Sequence, residues 1–159
     1  MMIRVAVVTV SDSCSRGERE DVSGRTIEEM LPADRFVVAA RGVLPDDRAA
    51  IAVELVKLAG RGDIDLVLTT GGTGFGPRDV TPEATTSVCE RMIPGFGELM
   101  RMEGFKKTPN AVLSRAVAGI CGGTLVINLP GSPKAVRESL DLILGLLPHA
   151  MLMLRGGGH

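Results

Sequence analysis

Asp65-Leu66-Val67-Leu68-Thr69-Thr70-Gly71-Gly72-Thr73-Gly74-Phe75-Gly76-Pro77-Arg78-Asp79-Val80-Thr81-Pro82-Glu83 is the stretch on which the fold of this chain turns. Asp65 to Thr70 is an almost wholly apolar run of strand length, as expected for a strand covered on both faces. Glycines directly after a strand let the backbone turn tightly and approach a ligand closely. Their bare N–H groups can form a concave anion site, to which Thr70 and Thr73 would add hydroxyl donors. Pro82 stands where a helix begins, with Glu83 near its positive end, so a helix is expected from Pro82 to Arg91. Two familiar nucleotide loops are excluded. A Walker loop starting at Gly71 needs Lys, and a dinucleotide fingerprint starting at Gly72 needs Gly, where Pro77 stands. On glycine content alone the segment is either a different phosphate loop or a plain strand–helix turn.

Working outward, apolar runs and helix-like segments alternate along the chain. Ile3 to Val10 and Phe36 to Gly42 read as strands before the central one, and Ala116 to Ile120 and Thr124 to Asn128 as strands after it. Helices are expected at Gly24 to Leu31, from Pro45-Asp46-Asp47 to Leu58, at Phe96 to Phe105, and from Lys134 to Leu154 with an interruption near Pro148. This order predicts an α/β fold with a mostly parallel sheet and helices on both faces. Ligands of such sheets bind beyond the carboxyl ends of the strands. The loops after Val10, Gly42, Thr70 and Asn128 are therefore the ones that matter, and the polar motifs fall in them.

Asp79 sits beside Arg78, where a carboxylate can hold Mg²⁺ against phosphate oxygens; its plain alternative is a turn aspartate or the cap of the following helix. Of Asp46 and Asp47, one is expected to cap a helix and the other is a second candidate carboxylate for Mg²⁺-assisted phosphoryl chemistry. The first loop, Ser11-Asp12-Ser13-Cys14-Ser15-Arg16-Gly17, and the later Asp21-Val22-Ser23-Gly24 offer hydroxyls and charges for a polar ligand, or simply caps. Asn128-Leu129-Pro130-Gly131-Ser132-Pro133-Lys134 closes a strand and opens a helix where an anion is welcome. Ser114 and Arg115 are placed to reach the same crevice.

Composition sets bounds on the rest. The chain has 159 residues, 45% of them apolar, and a formal net charge of -1. That suits one domain spanning 1-159 and provides no long-range field for nucleic acid or an anionic membrane. With no Trp, no Tyr and four Phe, platforms for base stacking are scarce. The first apolar run is too short to span a bilayer and no small-residue cleavage site follows it, so a cytoplasmic protein is expected. Three widely spaced cysteines, Cys14, Cys89 and Cys121, read as reduced thiols, Cys14 bordering the site. His149 and His159 read as surface or packing residues. With no placed His and no activated Cys, covalent acyl transfer is disfavoured. A phosphate oxygen, already ionised at neutral pH, needs alignment and charge neutralisation rather than a strong base.

Together these motifs resemble the Mog-type molybdopterin adenylyltransferases, including the G domains of the plant and animal two-domain versions. The resemblance covers nearly the whole chain, in family order: Ser11-Asp12, Asp21-x-Ser23-Gly24, Pro45-Asp46-Asp47, Gly71 to Glu83, Pro94-Gly95-Phe96, Ser114-Arg115 and Leu129-Pro130-Gly131. Met102 to Thr108 matches least well. The resemblance implies a three-layer αβα domain of the molybdenum-cofactor-biosynthesis type, usually a homotrimer. It implies adenylyl transfer from Mg-ATP to the terminal phosphate of molybdopterin, with pyrophosphate released. Asp46 and Asp79 match the family's essential aspartates. Gly71 to Gly74 would hold phosphates, and Ser114 with the Asn128 to Ser132 turn would line the ligand crevice. A downstream molybdenum-insertion protein is the partner it implies. The related MoaB type leaves a non-catalytic pterin-binding or scaffold role as the alternative. Hydrolysis of a nucleotide or pterin phosphate on the same scaffold is a third option. The intact Arg78-Asp79-Val80-Thr81-Pro82 favours the active type.

Overall fold

A computed structural model describes residues 1–158; His159 and the reading of it as a surface residue lie outside the described residues. The elements in chain order are β1 (Ile3–Val10), α1 (Asp12–Ser15), α2 (Val22–Met30), β2 (Phe36–Leu44), α3 (Arg48–Ala59), β3 (Leu66–Thr70), α4 (Thr81–Val88), β4 (Arg91–Met92), α5 (Pro94–Lys107), β5 (Ala118–Cys121), β6 (Thr124–Leu129), α6 (Pro133–Ile143) and α7 (Leu147–Leu154). Six strands form one sheet in the order β2-β1-β3-β6-β5-β4. β1 pairs in parallel with β2 and β3, and β3 in parallel with β6. β5 runs antiparallel to both β6 and β4. The sheet is thus parallel in its larger part, as expected, with an antiparallel margin. The margin follows from chain length: only Gly122 and Gly123 separate β5 from β6, too few residues for a crossover, and Gly122 takes φ +59° at that turn.

The strands are apolar throughout because both faces are covered. On one face Val5 and Val7 of β1 and Leu66 and Leu68 of β3 pack with Ile27 of α2, Met100 of α5, and Val136, Leu140 and Ile143 of α6. On the other, Ala6, Val8 and Val10 of β1 and Val67 of β3 pack with Ile51, Leu55 and Leu58 of α3 and Ala84 of α4. Side chains alternate along each strand, so a single strand feeds both layers. The three-layer αβα arrangement is the one expected.

Element boundaries moved for identifiable reasons. Asp21 caps α2 by accepting from the Gly24 N–H at 2.9 Å, so the helix starts at Val22 and not at Gly24. Residues 89–92 leave the helix, and Arg91 and Met92 pair with Ile120 and Gly119 as the short β4. α5 extends to Pro94, whose missing N–H has no role in a first turn. The last helix breaks at a 3₁₀ turn, Leu144–Leu146, and Pro148 lies in the first turn of α7 beyond it. The one-turn α1, capped by the Ser11 hydroxyl, carries too few residues to show periodicity. No helix among the described residues is long and apolar enough to cross a membrane. All three cysteines are free. Burial pushes the Cys89 thiol up to about 11 and raises that of Cys121, as inert thiols require.

Candidate active site

β1 has β2 on one side and β3 on the other, so the chain leaves β1 toward one edge of the sheet and returns on the opposite side. The loops after β1 and β3 part at that point and leave a crevice between them. A cleft of about 370 Å³ occupies it, walled by Ser11 and Cys14 after β1, Asp21 to Ser23 at the start of α2, Asp46 after β2, Thr70 to Gly72 and Asp79 after β3, and Gly131 to Pro133 after β6. Four strand ends thus converge on one cavity.

The floor is main chain. Gly71 (φ +100°) and Gly72 (φ +69°) hold conformations that side chains rarely adopt. A Cβ on Gly71 would stand 2.2 Å from the carbonyl oxygen of Val10, so these two backbones are packed directly on each other. Thr81 welds the loop to α4: its hydroxyl donates to the Gly71 carbonyl at 2.9 Å and its N–H to the Gly72 carbonyl at 3.2 Å. The turn after β6 is held the same way, with the Thr70 hydroxyl donating to the Pro130 carbonyl and the Ser23 hydroxyl to the Gly131 carbonyl, each at 2.6 Å. Those hydroxyls tie the loops of the cleft to one another without any ligand.

Two carboxylates are seated on the glycine loop. A Cβ on Gly72 would lie 3.2 Å from Asp46 Oδ1, and one on Gly74 or Gly76 would lie 2.9 Å from Asp79 Oδ2. The glycines therefore make room for the acids as well as for a ligand. Asp79 Oδ2 also accepts from the Gly76 N–H at 2.8 Å. Asp79 does not cap α4, because the cap position is Val80 and no side chain bonds there. Asp47 is the helix cap of the neighbouring pair, accepting from the Ala50 N–H at 2.8 Å, which leaves Asp46 for the cleft. Asp46 and Asp12 latch their loops reciprocally. The Asp12 N–H donates to Asp46 Oδ2 at 3.0 Å, and the Asp46 N–H donates to Asp12 Oδ1 at 2.9 Å.

The charges are unevenly balanced. Both guanidinium nitrogens of Arg78 that face Asp12 stand 3.0 Å from its oxygens, and that pairing draws the Asp12 carboxyl below its ordinary value. Asp46 shifts upward instead. Burial is the first cause, and the negative charges of Asp12 and Asp79 add to it against the opposing hydrogen bond from the Asp12 amide. A carboxylate crowded by two others suits a cation. Among the described residues no group of three His, Cys, Asp or Glu side chains could cage a metal alone. The pair Asp46 and Asp79 fits Mg²⁺ brought in on phosphates, since that ion takes one or two carboxylates and fills its remaining positions with phosphate oxygens and water.

Of the residues singled out from sequence, Ser11, Asp46, Thr70, Gly71, Gly72, Asp79, Gly131 and Ser132 wall this cleft. Asp12 stands behind it as the partner of Arg78. Thr73 is buried, and the carbonyls of Thr73 and Gly74 turn away toward Arg115. Ser114 and Pro130 border a separate small cavity of about 60 Å³ between α5 and α6. Asn128, expected to line the crevice, is fully buried: its amide donates to Thr69 and Thr85 and its Oδ1 accepts from the Val117 N–H. It braces β6 against α4 beneath the floor. Sequence reasoning missed Thr9, Arg19 and Glu20, which also line the cleft, whereas Asp21 and Ser23 lay in a motif read either as ligand-facing or as caps. The Thr9 hydroxyl donates to Asp21 at 2.7 Å, and any side chain at Gly24 would collide with both.

Residues 6–149 match the family model described as a probable molybdopterin binding domain. The molybdopterin adenylyltransferase of Helicobacter pylori (strain ATCC 700392 / 26695) is 43% identical over 97% of this chain and 89% of its own. That of Escherichia coli K12 is 42% identical over 87% of this chain and 72% of its own. The crystal structure of the molybdopterin biosynthesis enzyme MoaB from Thermus thermophilus superposes with a TM-score of 0.92 at 51% identity, covering 98% of each chain.

Proposed function

The chain belongs to the family of probable molybdopterin binding domains, and from that premise we propose that it is a molybdopterin adenylyltransferase, a nucleotidyltransferase that acts as one domain over its whole length. Its substrates are molybdopterin and ATP, and its product serves molybdenum cofactor synthesis. The observation that carries this reading is the seating of Asp46 and Asp79 on successive glycines of one loop at the crevice between β1 and β3. A protein that only held a pterin would have no use for two crowded acids there.

The chemistry is a displacement at phosphorus. An oxygen of the pterin's terminal phosphate attacks the α-phosphorus of ATP, a new P–O bond forms, and the bond to pyrophosphate breaks. The attacking oxygen is ionised at neutral pH, which fits a cleft without a histidine. Asp46 and Asp79 would hold Mg²⁺, whose charge would offset that of the phosphates as pyrophosphate leaves. The rigid main-chain floor at Gly71 and Gly72 fixes the approach of the reactants, and alignment of this kind supplies much of the rate. We extend the reading to a cytoplasmic homotrimer that passes its product to a molybdenum-insertion protein. In favour of self-association, an apolar groove of about 740 Å³ runs between α5, β5 and α7, lined by Ile93, Phe96, Ile120, Leu146 and Met153. Sedimentation as a monomer at working concentration would remove the trimer.

The test is direct: ATP labelled at the α-phosphate, molybdopterin and Mg²⁺ are mixed with the protein. Label should move onto the pterin with one pyrophosphate released per transfer, and only with all three present. Pyrophosphate release without pterin would favour hydrolysis instead. Calorimetry showing no binding of Mg-ATP would leave a pterin carrier.

A further inference from the structure

Arg115, in the stretch between α5 and β5, is bonded to the back of the glycine loop. Its Nε donates to the Gly74 carbonyl at 2.8 Å, its Nη2 to the Asp79 carbonyl at 2.8 Å, and its backbone N–H to the Thr73 carbonyl at 2.9 Å. Its Nη1 pairs with Oε1 of Glu83, in the first turn of α4. The other Glu83 oxygen, Oε2, is buried and accepts no hydrogen bond among the described residues. The pairing draws the Glu83 carboxyl below its ordinary value. Arg115 lines an open hollow with Arg48 and Glu83, and does not wall the cleft that holds Asp46 and Asp79.

A guanidinium is a planar fork with fixed donor directions, so three partners on two segments lock it in place. Two of the three are the carbonyls of Gly74 and Asp79. These bracket the turn in which the Gly76 N–H supports the Asp79 carboxylate. We infer that Arg115 is a positioning residue for Asp79: it holds the Gly74–Asp79 turn from behind, Glu83 orients its fork, and the pair thereby sets the affinity of the cleft for a divalent cation. The cation part rests on the adenylyltransferase reading, whereas the bracing of the turn is independent of it. Groups that orient metal-binding side chains without touching the metal typically change affinity or activity by about 10–100-fold.

Three variants separate positioning from charge balance: Glu83→Gln, Arg115→Met and the double Arg115→Met/Glu83→Gln. Arg115→Met leaves the part-exposed Glu83 carboxylate, whose Oε2 is covered, without its partner and lowers stability modestly; the added Glu83→Gln removes that charge and restores folding. Three quantities are read on each protein. These are hydrogen exchange at the Gly76 amide without ligand, Mn²⁺ binding in the presence of ATP followed by electron paramagnetic resonance, and the Mg²⁺ dependence of adenylyl transfer. In both Arg115 variants Gly76 exchanges faster, Mn²⁺ binds about tenfold more weakly, and kcat falls about 10–100-fold while the KM for pterin holds. Glu83→Gln alone changes all three least. A double variant with wild-type Gly76 exchange and Mn²⁺ affinity would overturn the inference, because Arg115 would then merely neutralise Glu83. A wild-type protein without adenylyl transfer would defeat the proposed function, while the exchange at Gly76 would still decide whether Arg115 braces the turn.

Discussion

At the amino end of β3, Asp65 lies between two guanidinium groups: Arg4 bonds it through Nε and Nη2, each at 2.9 Å, and Arg155 through Nη2 at 2.8 Å. At the carboxyl end of the same strand the loop carries Asp79, which faces Asp46, and there the acids crowd one another. Asp65 is drawn far below its ordinary value, first by the hydrogen bond from Arg4 and with Arg155 adding to it, against the opposing effect of burial. Asp46 is raised, first by burial and then by its acidic neighbours. Both are aspartates at strand ends of one sheet. One end is compensated by two arginines and binds the chain together; at the other, Arg78 is engaged by Asp12 and only partly offsets burial and the acidic neighbours of Asp46, whose carboxyl therefore shifts up.

The sharpest way to break this contrast is to neutralise each acid in turn. Asp46→Asn, and separately Asp79→Asn, should lower adenylyl transfer by on the order of a hundredfold or more. Asp46→Asn should nevertheless unfold at the same temperature as the parent or higher, because the crowded charge is gone and the amide oxygen can still accept from Asp12. A clear loss of thermal stability in Asp46→Asn would mean that the acid is structural after all. Asp65→Asn should do the reverse. It should lose about 2 kcal/mol, less than for a fully buried pair because both arginines keep solvent contact, and so about 4–8 °C in melting temperature, with kcat intact. An Asp65→Asn protein that melts normally but turns over slowly would dissolve the distinction between the two ends.

Acid titration sharpens the comparison further. Folding depresses the Asp65 pKa, so its contribution is present above the unfolded value of about 4 and is lost as the pH falls through that value toward the folded one. Folding raises the Asp46 pKa, so its contribution has the opposite sign: the folded state gains by binding the proton, and that gain is lost as the pH rises from about 4 through the folded value. In urea unfolding between neutral and acid pH, the stability advantage of the parent over Asp65→Asn should therefore shrink with acidification. The difference between the parent and Asp46→Asn should move the other way. Parallel curves for the two variants would contradict the assignment.

The smallest effect expected is at the cleft wall. Ser23→Ala removes the hydroxyl that holds the Gly131 carbonyl and should weaken folding by about 1 kcal/mol. It should raise the KM for pterin several-fold and leave kcat nearly unchanged. An unchanged KM would detach the turn after β6 from substrate binding.

Much of this was legible in the residues themselves. The continuous apolar runs at Ile3–Val10 and Leu66–Thr70 could only be strands covered on both faces, and the placement of four loops at one end of the sheet followed from that. Asp46 and Asp79 stood out by their places after strands, but each alone read equally well as a turn or cap residue, and it was the family resemblance that paired them. What escaped depended on direction and depth, which residue type does not encode. Asn128 ends a strand that borders the cleft, yet its side chain points down among Thr69 and Thr85. Arg115 looked able to reach into the crevice and instead grips its loop from outside. Arg91 was expected to end a helix and instead, with Met92, pairs along the open edge of β5 as a short strand. In each case a tertiary partner decided, over local preference.

The contact of Gly71 with the carbonyl of Val10 has a consequence for how this scaffold can change over generations. A surface built of peptide groups shows the same donors and acceptors to a ligand so long as the conformations at Gly71 and Gly72, and the bonds such as that of Thr81 that hold them, persist. Drift in the surrounding side chains can then retune which acceptor is admitted without rebuilding the place where phosphates rest. A lineage descended from such a protein is free to explore new acceptors, while a single methyl group added at Gly71 is enough to end the experiment.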